Sequence, residues 1–84
     1  MERGAIERKV ISIVHEQKTI AEDALLPDTP LEQVGIDSLD ALNILFEIEE
    51  TFGITIPDEE ARQLRTVGQI VNAVRQHLAA VPES

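Results

Sequence analysis

Six consecutive residues, Gly35-Ile36-Asp37-Ser38-Leu39-Asp40, carry the most specific chemistry in this chain, because they set one hydroxyl at the mouth of an acidic stretch with helical spacing. Asp37 can cap that helix through its carboxylate, Ser38 then takes the first helical position, and Asp40 stands where a capping box wants an acid. A serine so placed has its side chain outside the hydrogen-bonded ladder and is exposed and locally fixed. The amides of the first turn are unpaired and the helix dipole is positive there, so a phosphate esterified to Ser38 would be stabilised by about 0.3–1 kcal/mol. The arrangement suits a phosphodiester tether. Hydrolytic use of Ser38 would need a base, yet His15 and His77 fall in the first and last helices with no neighbouring signature and read as solvated or rim residues. No stretch matches a calcium loop.

The elements that must position this serine follow from the apolar spacing. Ile6, Val10, Ile13 and Val14 share one face of a first helix, about Ala5 to Glu16. A long connection follows, from about Lys18 to Asp37, in which Pro27, Asp28, Thr29, Pro30 and Gly35 break regular structure. Leu25, Leu26, Leu31, Val34 and Ile36 are expected to pin it to the core. The second helix, about Ser38 to Phe52, stops at Gly53. Ile54-Thr55-Ile56 reads as an extended connection with both isoleucines inward, and Pro57 leads into Asp58-Glu59-Glu60, the first turn of a short third helix ending near Arg62 to Leu64. Thr66 and Gln69 have capping-box spacing for a last helix whose stripe, Val67, Ile70, Val71, Val74 and Leu78, runs until Pro82. The fold class expected is all-α: a small bundle of four helices, three main and the third a stub, with a long loop between helices 1 and 2. Residues 1–84 read as a single domain with an ordered core from about 5 to about 80.

The second helix has more apolar surface than one core face requires. Ile44, Leu45, Ile48 and Phe52 form a stripe toward the other helices, while Leu39, Leu42 and Phe46 lie on a neighbouring strip. Either all seven are buried in a wide core, or the second strip is exposed and serves as an apolar anchor in an acidic rim made for transient docking.

Composition narrows the function classes. Eighty-four residues bury only about 60–65 % of the surface of the unfolded chain, which disfavours a deep catalytic cavity. There is no cysteine, hence no disulfide framework, thiolate metal site or cysteine nucleophile. Tyr and Trp are absent and Phe46 and Phe52 are the only aromatic residues, so stacking platforms for single-stranded nucleic acid are missing. Without an apolar leader or a run long enough to span a membrane, a soluble, cytoplasmic monomer is expected. The net charge of −9 is segregated: residues 19–61 hold twelve acids and no Lys or Arg, contributing −12, and the rest contributes +3. Such a field repels nucleic acid and anionic lipid and steers basic partners toward Ser38.

Three segments together resemble the acyl carrier protein family: Gly35-Ile36-Asp37-Ser38-Leu39-Asp40, then Glu47-Ile48-Glu49-Glu50-Thr51-Phe52, then Ile54-Thr55-Ile56-Pro57-Asp58-Glu59-Glu60. The likeness spans about residues 5–80, including the helix order and the Thr66-Val67 helix start. It implies that a separate phosphopantetheinyl transferase moves 4′-phosphopantetheine from coenzyme A onto Ser38, flanked by Asp37 and Leu39. The arm then carries acyl groups as thioesters between an acyl-loading ligase or transferase and the synthase enzymes of fatty-acid, polyketide or related biosynthesis. The protein itself would catalyse nothing. Mapped by position, the recognition surface would be Asp40, Leu42, Phe46, Glu47, Glu49 and Glu50, with basic surfaces on the partners. Asn43 and the bulky Phe46 depart from the pattern of fatty-acid carriers, so a dedicated carrier for another acyl unit fits as well. The other class is a carrier-like acidic interaction subunit with Ser38 unmodified.

Overall fold

The computed structural model describes residues 3–20 and 24–80. Glu22 and Asp23, counted in the acidic stretch, and Pro82, expected to end the last helix, lie outside the described residues. The described chain forms four α-helices and no strand: α1 (Arg3–Lys18), α2 (Ser38–Phe52), α3 (Asp58–Ala61) and α4 (Val67–Ala80). This is the all-α architecture expected, with the third helix a single turn.

The predicted stripes are the core. Ile6, Val10, Ile13 and Val14 of α1 pack with Ile44, Leu45 and Ile48 of α2 and with Val67, Ile70, Val71 and Val74 of α4. α1 lies against both α4 and α2, so the helix before the long connection holds the one that presents Ser38. Ile54 and Ile56 are both buried, as the alternation around exposed Thr55 requires. Each isoleucine so buried contributes about 1.5–3 kcal/mol, and these aliphatic side chains are what a chain without disulfides or a metal has to stand on.

The ends of the helices are set locally. Gly53 closes α2 in the left-handed conformation at φ 67. Thr66 and Gln69 form the expected capping box: Gln69 N–H donates to Thr66 Oγ1 at 3.1 Å and Thr66 N–H to Gln69 Oε1 at 3.2 Å. α1 runs one turn beyond the expected bounds in total, to Lys18. It ends where Thr19 takes φ 53 and donates its N–H to the His15 carbonyl at 2.7 Å.

The long connection departs from expectation in two ways. It contains a 3₁₀ turn, Leu31–Val34, closed by Gly35 at φ 88. And of the residues expected to pin it, Leu25, Leu31 and Ile36 are buried and Val34 packs against the core, but Leu26 is 59 % exposed. Leu26 opens a turn in which its carbonyl accepts from Thr29 N–H at 3.1 Å, and this turns its side chain outward while Leu25 takes the core position. The connection is fastened by its backbone instead: Leu31 N–H donates to the Arg65 carbonyl at 2.8 Å, Gly68 N–H to the Pro27 carbonyl at 3.0 Å, and Pro30 bridges Thr66. α3 stops at Ala61, short of the expected Arg62 to Leu64, because the next bonds, Gln63 N–H to Glu60 and Leu64 N–H to Ala61, close tighter three-residue turns.

Candidate functional site around Ser38

Asp37 caps α2 from an extended conformation, φ −87 and ψ −177, and Ser38 is the first residue of the helix. The cap is reciprocal but uneven. Asp40 N–H donates to Asp37 Oδ1 at 2.8 Å, whereas Asp37 N–H reaches Asp40 Oδ2 at a long 3.4 Å. The Asp37 carbonyl accepts the first helical bond, from Ala41 at 2.9 Å. Backbone on both sides of Ser38 is therefore fixed, while the serine itself is exposed and its hydroxyl takes part in no hydrogen bond among the described residues.

Asp40 has a second partner. Lys18, the last residue of α1, places Nζ 3.1 Å from Asp40 Oδ2. The Lys18 ammonium, with help from the Asp37 backbone N–H, holds the Asp40 carboxyl below the usual carboxylate range against the opposing effect of burial.

The strip next to Ser38 is exposed. Leu39 is 67 % accessible, Leu42 39 % and Phe46 55 %, while Ile44, Leu45 and Ile48 are buried and Phe52 half-buried against the core. This decides between the two readings of α2: one face is core and the adjoining strip is an apolar ridge on the surface. Glu47 and Glu50 are exposed beside it. Glu49 is placed differently: it is half-buried and its Oε2 accepts the N–H of buried Ile56 at 2.8 Å. That bond fastens the extended connection to α2 across the Gly53 turn.

Sequence reasoning missed both intramolecular partners. In the sequence Lys18 marks the edge of the base-free stretch and the start of the long connection, with nothing to pair it with Asp40, and nothing in the spacing of Glu49 and Ile56 signals a bond across a turn. The imidazoles are likewise engaged away from Ser38. His15 Nδ1 donates to the Ile20 carbonyl at 2.6 Å, and His77 Nε2 meets Glu60 Oε2 at 2.7 Å, tying α4 to α3 at a half-buried position. Among the described residues no helix is long and apolar enough to cross a membrane.

The family model for the phosphopantetheine attachment site matches residues 8–74, most of the chain and all of the site. The chain belongs to the acyl carrier protein family. It is 36 % identical over 73 residues to an acyl carrier protein of Rickettsia bellii, a match covering 86 % of this chain and 85 % of that protein. It is 35 % identical over 81 residues to one from Thermosynechococcus vestitus, covering 95 % and 100 %. A crystal structure of an acyl carrier protein from Thermotoga maritima has the same fold, with a TM-score of 0.86 at 24 % identity over 98 % of this chain and 96 % of that one. As an acyl carrier the protein carries acyl groups for partner enzymes, and its cofactor is covalent 4′-phosphopantetheine. The residues at the mouth of α2 fit that group: an exposed alcohol on rigid backbone, open to solvent, with exposed Leu39 beside it. When bound, the group supplies a thiol, which this cysteine-free chain lacks.

Proposed function

We propose that Ser38 is the attachment point and that α2 is the address read by the carrier's partners. The observation that carries this reading is the exposed Ser38 hydroxyl at the first position of α2, inside the Asp37-Ser38-Leu39 triplet and on backbone fixed by the Asp37–Asp40 cap. Ser38 Oγ bonds to the phosphorus of the pantetheine phosphate as the anhydride bond of coenzyme A breaks, the adenosine bisphosphate leaves, and the hydroxyl proton passes to a base on the phosphopantetheinyl transferase. The chain contributes position rather than catalysis, in keeping with the engagement of both imidazoles elsewhere. Asp37 and Leu39 flank the attachment and present it to the transferase.

Docking is the second duty of α2. Leu42 and Phe46 offer a small apolar anchor and Glu47 and Glu50 an acidic rim, a combination that gives fast encounter with basic surfaces and brief residence. Asp40 and Glu49 already have partners within the chain and contribute less to that rim. The partners are the transferase, an acyl-loading ligase or transferase, and synthase enzymes of fatty-acid, polyketide or related biosynthesis. The chain acts as a single cytoplasmic carrier domain and a monomer. Intact mass after incubation with coenzyme A and a broad-specificity phosphopantetheinyl transferase tests the attachment. The wild type gains one phosphopantetheine and Ser38→Ala gains none; a bare wild type, or a modified Ser38→Ala, refutes it.

A further inference from the structure

The region around Ser38 is less negative than its sequence. Residues 19–61 contain no Lys or Arg, but the fold brings Lys18 from the end of α1 onto Asp40, two residues past the serine, at 3.1 Å. The oxygen that receives the ammonium also receives the Asp37 N–H, so one carboxylate atom is claimed twice within the chain. Among the described residues Lys18 is the one Lys or Arg held in an ion pair with an acid.

We infer that Lys18 sets the charge pattern by which partners read this carrier, withdrawing Asp40 from the docking surface and leaving Glu47 and Glu50 to carry it. A lone carboxylate attracts a basic partner over about 10 Å at moderate salt, whereas a carboxylate paired at contact distance presents a dipole whose field dies away sooner. A partner cation aimed at Asp40 must displace an ammonium already seated there. Glu49, bonded to Ile56, is held inward by separate means. The attractive rim is thus moved toward the C-terminal half of α2, and the end that bears Ser38 keeps only the capping acid Asp37 without a cation. A phosphodiester on Ser38 adds a further negative charge at that end, and the paired Asp40 repels it less than an unpaired one would. Lys18 acts through Asp40, as a positioning residue that determines specificity.

The inference rests on the attachment at Ser38, and a charge cycle read on loading by the transferase tests the two separately. The full chain is compared with Lys18→Met, Asp40→Asn, the double variant, the charge-matched control Lys9→Met and the conservative Lys18→Arg. kcat/KM for loading is followed by intact mass at low and moderate salt. Expected are a gain of about three-fold at low salt, with a steeper salt dependence, for Lys18→Met, and a loss for Asp40→Asn alone, which leaves the Lys18 ammonium unpaired beside Ser38. Adding Asp40→Asn to Lys18→Met should erase the gain, Lys9→Met should give less of it, and Lys18→Arg should behave as wild type. Thermal melts monitor folding, and Lys18→Gln provides the same readout if Lys18→Met does not fold. A gain from Lys18→Met that persists in the double variant, a double variant that loads several-fold more slowly than wild type, or equal gains from Lys9→Met and Lys18→Met overturn the role of Lys18 while leaving attachment intact. Failure of the wild type to load overturns both.

Discussion

Glu49 separates a docking acid from a structural one, and its removal can be worked through from the geometry. Its Oε2 accepts the N–H of Ile56 at 2.8 Å, and Ile56 is only 6 % exposed. Glu49→Ala leaves that amide without its acceptor, and orphaning a donor in such a position costs about 1–3 kcal/mol. For a domain of this size each kcal/mol lowers Tm by about 4–8 °C, so a fall of about 10 °C is expected by circular dichroism. Two effects of the substitution act the other way: alanine favours the helix more, and one charge leaves a strongly acidic surface. Glu47→Ala and Glu50→Ala share both effects at exposed positions and serve as controls, expected to stay within about 0.5 kcal/mol of wild type. Glu49→Gln keeps an acceptor oxygen and should lose less than half as much as Glu49→Ala. A Glu49→Ala protein melting within about 2 °C of its two controls would show that the Ile56 bond adds nothing, and Glu49 would return to the docking rim.

Two further outcomes follow from the loop clasp and the cap. A Cβ on Gly68 would stand 3.0 Å from the Pro27 carbonyl oxygen, which is itself held by the Gly68 N–H, so the loop cannot withdraw without losing the bond; Gly68→Val should cost about 1–3 kcal/mol in urea denaturation, and a stability equal to wild type would mean the clasp yields. Because Lys18 depresses the Asp40 carboxyl below its ordinary 3.8, the unfolded chain takes up that proton first on acidification. The pair's contribution is fully present above that value and is lost as pH falls through the folded one. Urea titrations between about pH 5 and about pH 3 should therefore show a shallower acid loss for Lys18→Met than for wild type, and parallel curves would contradict the pairing.

The helices were legible because their signals are local. Asp37 with Asp40 and Thr66 with Gln69 cap their helices across three residues, Gly53 ends α2 in the conformation glycine adopts most easily, and the stripes from Ile6 to Val14 and Val67 to Val74 find the core by period alone. Leu26 was misplaced for the opposite reason. Its hydrophobicity argues for burial, but the turn it opens and the backbone bonds of its neighbours to α4 point it outward. The stop of α3 at Ala61 was likewise a matter of which carbonyl each amide finds, which composition does not encode.

The sequence by itself determined the serine and its platform: an exposed hydroxyl at the first turn of an acidic helix follows from residues within reach of one another along the chain. Tertiary structure alone decided which acids around that serine remain available to others. Lys18 and Asp40 stand on different helices, and Glu49 reaches Ile56 across a chain reversal, so neither pairing exists until α1, α2 and the connection after Gly53 have packed. Charge is fixed by residue type, but whether a charge faces a partner or a neighbour is settled by distance, and distance between remote residues is what folding supplies.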